Sequence, residues 1–170
     1  MQDSTSDKEQ SVQVCAHCGN ENRAGTTFCE RCGVALVPVP LATRQLAVDE
    51  AARLSSSTLG PDGLIIIQVG SQTVPIMVRV KKEVILGRVT DFSEGVTYIN
   101  LTPYGAEEGG VSRRHARLMR DNNALYLMDL NSTNGTRLNG EALPASVERR
   151  VQDGDEIMLG RLKVYVYFSP

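Results

Sequence analysis

From residue 64 onward the chain is a series of short apolar runs separated by turn-forming residues, and this pattern restricts the fold more than any other feature. Several runs alternate apolar with polar side chains, which is typical of strands that bury one face. No long stretch with the period of a helix interrupts them. The predicted strands cover residues 64–69, 74–80, 84–86, 98–101, 116–119, 125–130, 156–159 and 162–168. The sequence therefore predicts an all-β sandwich.

Size and charge narrow the classes of protein. A chain of 170 residues with 41% hydrophobic content can form one domain of ordinary size and a small appendage, but not two full cores. The formal net charge of -2 disfavours binding to nucleic acid through bulk electrostatics, which needs many basic side chains on one face. No apolar run approaches the roughly 20 residues that span a bilayer, and the first residues are polar. We therefore expect a cytoplasmic protein that does not bind membranes and is not a general nucleic-acid binder.

All four cysteines fall in one short segment, as Cys15-x-x-Cys18-Gly and Cys29-x-x-Cys32-Gly. Zinc prefers four thiolates at the corners of a tetrahedron, and a C-x-x-C turn brings two sulfurs to one ion. Residues 12–36 therefore resemble a zinc ribbon that holds one structural Zn²⁺. Because this segment has few apolar side chains, we expect its folding to depend on the metal.

Two other uses of these cysteines fit the sequence less well. Disulfide pairing suits secreted chains, and nothing in the sequence indicates secretion. A thioredoxin-like redox site needs one C-x-x-C at the start of a helix after a strand, whereas this segment has two matched knuckles. His17 lies inside the first knuckle. We expect it to be a solvated neighbour rather than a ligand, since four sulfurs already complete the site.

Composition divides the rest of the chain. Residues 1–11 are expected to form a disordered tail, and residues 64–168 the main domain. Residues 37–63 contain clustered Pro, Ser and Gly, which is the composition of a linker. Within the linker, residues 44–54 form either a short helix or a flexible tether, and the sequence leaves both possibilities. Thr43 lies in this segment and is a candidate for phosphorylation, and Thr26, Thr27 and Thr58 are equal candidates.

Two regions place phosphate-binding groups near predicted strand ends. Arg88 directly follows an apolar run, so its guanidinium fork can reach a dianion where the strand ends. Ser112 begins the sequence SRRH, and Asn134 lies in the sequence NSTNGT. A Ser hydroxyl and an Asn amide supply neutral donors. These groups suit recognition of a phosphate rather than its hydrolysis.

The order of five motifs resembles a forkhead-associated (FHA) domain. The motifs are LGR at residues 86–88, VSRRHA at 111–116, DLNSTNGT at 129–136, LNG at 138–140 and DGDEI at 153–157. The likeness extends over residues 64–168 and implies an FHA-type β-sandwich of about 11 strands. It also implies recognition of phosphothreonine on a partner protein that a Ser/Thr kinase has phosphorylated. The chain would then be a signalling adaptor and not an enzyme.

The resemblance also implies roles for single residues. Arg88 and Ser112 would contact the phosphate. Arg113 and Thr133 would contact the phosphopeptide nearby, and Asn134 would hold its backbone. The positions that would shape the loops are Gly87, His115, Gly135 and Asn139.

Selectivity and the source of the ligand are separate questions. The resemblance implies that the turn at Gly160 and Arg161 reads the residue three positions after the phosphothreonine. The ligand would be a phosphothreonine-containing partner or the chain's own linker phosphorylated at Thr43. A tethered ligand has a raised effective concentration, so it would occupy the site and block other peptides.

The connection over residues 89–110 departs from the family pattern because it is long. Glu107 and Glu108 lie within it and bring negative charge close to the expected phosphate site. Basic side chains downstream are expected to offset this charge, namely Arg113, Arg114 and Arg117.

Three other functions were considered. Ser112 and His115 suggest a nucleophile and its base, but their spacing defines no geometry and no nucleophile elbow surrounds the serine. Residues 129–140 lack the Gly and Glu that a calcium loop needs at its sixth and twelfth positions. A zinc-ribbon adaptor that binds nucleic acid or protein, with the sandwich only a scaffold, is the alternative to phosphopeptide binding.

Overall fold

The structure is a computed structural model that describes residues 12–36, 58–72, 74–88 and 96–169. Four expectations concern residues that lie wholly or mostly outside these ranges, namely the tail at 1–11, the linker at 37–63, the helix at 44–54 and phosphorylation of Thr43. Within the described ranges, no helix is long and apolar enough to cross a bilayer.

Strands dominate the described residues, because short alternating runs make up most of the sequence there. They are β1 Val12–Val14, β2 Glu21–Arg23, β3 Leu64–Val69, β4 Ile76–Arg79, β5 Glu83–Gly87, β6 Thr97–Asn100, β7 Ala116–Asp121, β8 Ala124–Asp129, β9 Thr136–Leu138, β10 Glu141–Ala142, β11 Glu148–Val151, β12 Asp155–Leu159 and β13 Leu162–Phe168. A short 3₁₀ turn, Thr102–Tyr104, lies between β6 and β7. The all-β prediction is confirmed.

The strands from β3 to β13 form the two sheets of a sandwich. One sheet has six strands in the order β10-β9-β12-β13-β3-β4, and the other has five in the order β11-β8-β7-β5-β6. Neighbouring strands pair in antiparallel fashion, except that β5 and β6 are parallel. The two sheets together contain 11 strands, the number that the FHA resemblance implied.

The core lies between the sheets and follows from the alternation of side chains. In β3 the side chains of Ile65, Ile67 and Val69 are buried, while the intervening residues are half-buried. Leu125 and Leu127 do the same in β8. Apolar side chains from both sheets form one continuous cluster. Burial therefore fixes the register, since a slip by one residue would turn every core side chain outward.

Three short strands, β9 to β11, were not predicted from the sequence. β11 carries the sequence ERRV at a sheet edge, and only its Val151 is buried. The two residues of β10 are exposed, and they lie at an edge of the other sheet. Edge strands with charged side chains carry no alternating apolar signal. β9 has three residues, too few to show a period.

Strand pairing brings several strand ends to one end of the sandwich. β5 ends at Gly87, next to the start of β7 at Ala116, and Ala116 pairs with Asp129 at the end of β8. β12 ends at Leu159, which pairs with Thr136 at the start of β9. The connections that leave these strand ends therefore lie together.

The cysteine segment, residues 12–36, packs against an edge of the sandwich. Val34 forms an antiparallel bridge with Val78 of β4. The Arg79 N–H donates to the Gly33 carbonyl oxygen at 3.2 Å. Because β4 is the edge strand of the six-stranded sheet, the cysteine segment covers backbone groups that would otherwise face water.

His17 packs on the sandwich and is not surrounded by solvent, so that part of the prediction was wrong. Its Nε2 accepts a hydrogen bond from the Asn100 N–H at 3.1 Å and lies 3.2 Å from the Tyr98 carbonyl oxygen. Both residues belong to β6, the edge strand of the five-stranded sheet. Burial lowers the pKa of His17, which keeps the ring neutral and able to accept.

Candidate functional site

Four connections form a rim at one end of the sandwich. The rim consists of Arg88 after β5, residues 102–115 before β7, residues 130–135 after β8 and the turn at 160–161 after β12. The residues that the FHA resemblance assigned to peptide binding or selectivity all lie in it, namely Arg88, Ser112, Arg113, Thr133, Asn134, Gly160 and Arg161.

Arg88 is held at the surface of the rim. Its backbone N–H donates to the Ser112 carbonyl oxygen at 3.1 Å, and its Nε donates to the Val111 carbonyl oxygen at 2.6 Å. One third of the side chain is exposed, at 33%. The Nε hydrogen bond holds the guanidinium next to the Val111 carbonyl, and the backbone hydrogen bond holds the main chain of Arg88 next to Ser112.

A carboxylate already contacts this guanidinium. The Glu107 carboxylate oxygen lies 3.2 Å from an Nη of Arg88, and the Glu107 side chain is 71% exposed. The sequence placed Glu107 near the site, and the structure brings it into contact with the arginine. Because a carboxylate and a phosphate both present anionic acceptor oxygens, the contact shows that the guanidinium can receive an anion here.

Gly87 lets two segments of the rim approach each other. A Cβ on this residue would collide with the Arg113 carbonyl oxygen and would lie 2.9 Å from the Ser112 carbonyl oxygen. The requirement is steric, because the backbone of the Ser112–Arg113 segment packs directly on Gly87. This contact supports the position of Arg88, which is the next residue.

We expect Gly87→Ala to lower the free energy of unfolding by about 1–3 kcal/mol, the range for overpacking, and to shift the amide resonances of Ser112 and Arg113. Gly70→Ala is the matched control. Gly70 has a positive φ of +51° but no atom within 4 Å of the added Cβ, so its cost is backbone strain alone. Unchanged Ser112 and Arg113 resonances in Gly87→Ala would contradict the close packing.

Ser112 and Thr133 join the second and third connections. The Ser112 hydroxyl oxygen accepts a hydrogen bond from the Thr133 N–H at 3.1 Å, and the two hydroxyl oxygens are 3.4 Å apart. Ser112 is half-buried and Thr133 is exposed. Two hydroxyls therefore lie side by side at the surface, in the connection whose backbone also binds Arg88.

His115 is a buried link between loops. Its Nδ1 accepts a hydrogen bond from the Ser112 N–H at 2.9 Å, so its Nε2 carries the proton and donates to the Gly135 carbonyl oxygen at 3.0 Å. Burial lowers the pKa of His115 and outweighs the opposing effects of Gly135 and Asp129. The imidazole bonds to the backbone of Ser112, and the Ser112 hydroxyl bonds instead to Thr133. This geometry is not that of a nucleophile and its general base.

The lowered pKa of His115 makes stability depend on pH. Its folded pKa lies below the unfolded value of about 6.5, so its contribution is complete above that value and is lost as the pH falls through the folded pKa. We expect the free energy of unfolding to decrease from pH 7 to pH 5. In His115→Gln the decrease should be smaller, although His17 still contributes. Equal slopes for wild type and variant in urea titrations would contradict a buried neutral imidazole.

Asp129 organises the third connection, and the sequence analysis missed it. Its carboxylate accepts hydrogen bonds from the Ser132 hydroxyl at 2.6 Å, the Thr136 hydroxyl at 2.5 Å and the Ser132 N–H at 3.0 Å. Burial raises the pKa of Asp129, but these hydrogen bonds outweigh burial and hold the pKa below its usual value. An Asp three residues before a Ser is the local signal that identifies such a turn.

The remaining contacts of the rim centre on residues 108–110. The Asn134 amide donates to the Gly110 carbonyl oxygen at 2.7 Å. The Arg161 N–H donates to the Gly109 carbonyl oxygen at 2.8 Å, and its guanidinium donates to the Glu108 carbonyl oxygen at 2.6 Å. A Cβ on Gly160 would lie 2.6 Å from the Gly109 carbonyl oxygen. The turn at 160–161 therefore packs on residues 108–110 of the connection before β7.

Three other predicted residues have different surroundings. Arg113 presents an exposed side chain. Asn139 lies outside the rim, where its amide bonds to the Asp155 carboxylate and to the Glu156 N–H. Arg117 pairs with Glu83 on the sheet at 3.2 Å, so the expectation that it offsets charge in the rim was wrong.

The four cysteines converge on one point. All four Sγ atoms lie within 4.8 Å of one another, and the Cys15–Cys32 and Cys18–Cys29 sulfurs are 3.6 Å apart. Disulfide sulfurs would be about 2.05 Å apart, whereas sulfurs around a tetrahedral zinc are separated by roughly 3.8 Å. The predicted convergence is confirmed, and the donor set fits a metal ion.

Neighbouring groups favour the thiolate at Cys29 but not at Cys18. Burial raises the pKa of Cys29, but the backbone N–H groups of Cys32 and Arg31 outweigh it and the pKa falls to about 7. Burial raises the pKa of Cys18 to about 11, so an added positive charge would be needed to ionise it at neutral pH. The buried Asn22 joins β2 to the second knuckle, because its Oδ1 accepts from the Glu30 N–H at 2.9 Å.

Comparison with known proteins decides the family. The model of the FHA domain family matches residues 84–160. A solved FHA domain from work on phosphothreonine-dependent FHA domain interactions is 30% identical, with a TM-score of 0.50, and the match covers 63% of this chain and 98% of that one. The chain belongs to the FHA-domain family. The ordered motifs that predicted this membership include loops of the rim.

Other relatives of the FHA domain extend the comparison. The FHA domain-containing protein FhaA of Mycobacterium tuberculosis is 36% identical over 83 residues, and the match covers 47% of this chain and 15% of FhaA. The glycogen accumulation regulator GarA of the same species is 35% identical over 60 residues, which are 35% of each chain. The FHA domain of an Arabidopsis thaliana protein, at 23% identity and a TM-score of 0.52, shares the fold. The chain thus spans a minor part of its curated relatives.

Proposed function

We propose that the FHA domain of this chain binds phosphothreonine peptides and recruits a partner that a Ser/Thr kinase has phosphorylated. One observation carries the proposal: at the rim, Arg88 binds the Glu107 carboxylate and donates to the Val111 carbonyl oxygen, and the next residue, Ser112, has its hydroxyl beside that of Thr133. The rim thus contains an anion-binding guanidinium and, on neighbouring segments, two hydroxyl groups.

The chemistry of phosphothreonine suits this arrangement. The group carries about -1.5 to -2 charges and three acceptor oxygens. Arg88 supplies a charged donor fork, and the hydroxyl of Ser112 supplies a neutral donor. Each charge-assisted hydrogen bond contributes about 1.5–3 kcal/mol. We propose an adaptor that binds and does not catalyse, because the described rim residues stabilise an anion and none of them is arranged to attack it.

The roles proposed for the other predicted residues rest on the FHA resemblance. Arg113 is exposed beside Ser112 and would contact the peptide near the phosphate. Thr133 lies next to Ser112, and Asn134 would hold the peptide backbone with its exposed amide. The residues that support the loops under this proposal are Gly87, His115, Gly135 and Asn139.

A groove next to Asn134 is the proposed selectivity site. It has a volume of about 520 Å³ and includes Gly160 and Arg161 in its lining. Arg137 and Lys163 also line it, against the single carboxylate of Glu156, which pairs with Lys163 at 2.9 Å. Two guanidiniums therefore remain to attract the peptide, so we propose a preference for an acidic residue after the phosphothreonine.

Glu107 competes with the phosphate for Arg88 under this proposal. We expect Glu107→Gln to strengthen binding of a phosphothreonine peptide about two- to fivefold, since an exposed ion pair is worth about 0.5–1 kcal/mol. Glu108→Gln, which removes the same charge one residue away, is the control and should change affinity less. A loss of affinity in Glu107→Gln, measured by calorimetry, would show that Glu107 assists binding.

The cysteine segment is proposed to be a ribbon that holds one structural Zn²⁺ through Cys15, Cys18, Cys29 and Cys32. Four thiolates close the coordination sphere of zinc, so the ion would supply folding energy and no reactive position. We propose that the FHA domain itself extends over residues 64–168, since its two sheets begin and end there.

A screen of an oriented phosphothreonine peptide library against wild type and Arg88→Ala tests the proposed function. Wild type should select a subset of phosphothreonine peptides, and the variant should select none. Matched phosphoserine peptides should bind more weakly, because they lack a methyl group that is worth about 1–3 kcal/mol in an apolar pocket. A peptide centred on phosphorylated Thr43 belongs in the set, because it is the proposed internal ligand. Equal selection by both proteins would refute the proposal.

A further inference from the structure

The cysteine segment touches the edge strands of both sheets. Val34 bridges Val78 on β4, the edge of the six-stranded sheet. The Ala35 N–H donates to the Met77 carbonyl oxygen at 3.2 Å, which extends the same contact. The His17 ring contacts β6, the edge of the five-stranded sheet. The segment therefore closes the side of the sandwich on which both edges end.

The contact on β6 is made by one ring nitrogen. The Asn100 N–H donates to His17 Nε2 at 3.1 Å. This N–H points away from β5, at the open edge of the sheet, and would otherwise face water. His17 is flanked by Cys15 and Cys18, so the metal-binding cluster sets where its ring lies.

Asn100 leads directly to the rim. It pairs with Gly87, and the Leu101 N–H donates to the Gly87 carbonyl oxygen at 2.8 Å. The Asn100 side-chain oxygen accepts from the Thr102 N–H at 3.0 Å, where the second connection begins. Gly87 precedes Arg88, and the connection that begins at Thr102 carries Glu107. Asn100 therefore contacts both the residue that precedes Arg88 and the start of the segment that carries Glu107.

We propose that His17 is a positioning residue for the phosphopeptide site: the metal-ordered cysteine segment holds the end of β6 through this imidazole, so that peptide affinity depends on metal loading. The proposal rests on phosphothreonine binding by the rim. Zinc thus has a role beyond the folding of its own segment. The apparent affinity for the peptide is proportional to the fraction of molecules in which β6 and Arg88 are positioned to bind it.

A matched pair of variants separates the acceptor from the bulk of the ring. His17→Gln keeps an acceptor near the place of Nε2, and His17→Leu fills similar space without one. We expect His17→Leu to weaken phosphothreonine peptide binding about three- to tenfold, the range of one hydrogen bond, and to speed hydrogen exchange of the Asn100 amide. His17→Gln should restore most of both properties. Both variants should hold one zinc per chain.

Removal of the metal completes the test. Chelation should lower the peptide affinity of wild type by at least the factor by which His17→Leu lowers it. Chelation should lower the affinity of His17→Leu by a smaller factor, because metal removal and the substitution act through the same contact with β6. If His17→Leu binds metal poorly, chelation of wild type still tests whether peptide affinity depends on metal loading. Equal affinity and equal Asn100 exchange in wild type, His17→Leu and chelated protein would overturn the positioning role alone. Failure of wild type to bind any phosphothreonine peptide would overturn the proposed function instead.

Discussion

Arg88→Ala will weaken binding of a phosphothreonine peptide by about 2–4 kcal/mol, or roughly 30- to 1000-fold. The variant removes the guanidinium, which donates to the Val111 carbonyl oxygen, and keeps the backbone hydrogen bond from residue 88 to the Ser112 carbonyl oxygen. No other cation is tied to that position by a contact in the described part of the rim. Isothermal titration calorimetry with one peptide, phosphorylated and unphosphorylated, measures the effect.

Two further variants sharpen this result. Arg88→Lys keeps a positive charge but loses the planar fork, so its affinity should fall between those of wild type and Arg88→Ala. Arg149→Ala is the control, because Arg149 is an exposed arginine that pairs with Glu141 on β10, outside the rim. If Arg149→Ala and Arg88→Ala lost the same affinity, general charge and not a specific site would explain binding. Unchanged affinity in Arg88→Ala would remove this arginine from the site.

Cys29→Ser will abolish stoichiometric zinc binding and unfold the cysteine segment. Structural zinc sites contribute roughly 10–16 kcal/mol of apparent binding energy in zinc-finger peptides at neutral pH. The segment has no comparable apolar core of its own, since its buried cluster consists of Cys15, Cys29 and Cys32 with partly buried neighbours. Cys29→Ser should therefore destabilise the cysteine segment more than any single substitution of an apolar residue in that segment.

Metal analysis and thermal unfolding measure this second effect. Wild type should carry one zinc per chain, and Cys29→Ser should carry less than one and unfold at a lower temperature. The decrease follows because the segment packs Val34 against the core of the sandwich. Thr27→Ser, an exposed change in the same segment, is the control and should keep the metal. Purified wild-type protein that binds no zinc at full reduction would contradict the proposed site.

The sequence predicted the sandwich because burial on one face leaves a direct trace in the chain. β3 and β13 alternate buried and half-buried positions over much of their length, and their apolar residues are visible without a structure. β11 leaves no such trace, because its exposed Glu148, Arg149 and Arg150 pair with β8 through backbone groups alone. Backbone pairing is independent of side-chain type, so polar edge strands escape a pattern-based prediction.

The residues of the candidate site also divide into those that the sequence predicted and those that it did not. Motif order placed Arg88, Ser112 and Asn134 in the rim, because each follows or precedes a strand end. The pairing of Glu107 with Arg88 and the hydrogen bond of His17 to Asn100 depend on how distant segments meet, across 19 and 83 residues. The hydrogen bonds of Asp129 are local, and a search for Asp-x-x-Ser turns finds them. Long-range contacts between polar groups carry no periodic signal and require the fold.

A crystal structure of the chain with a bound phosphothreonine peptide tests the central claim most directly. Phosphate oxygens should lie about 3 Å from the Arg88 guanidinium and from the Ser112 hydroxyl, and the Glu107 carboxylate should have left Arg88. The peptide backbone should lie next to the Asn134 amide. A phosphate bound elsewhere on the sandwich, with the Arg88–Glu107 pair intact, would contradict the account.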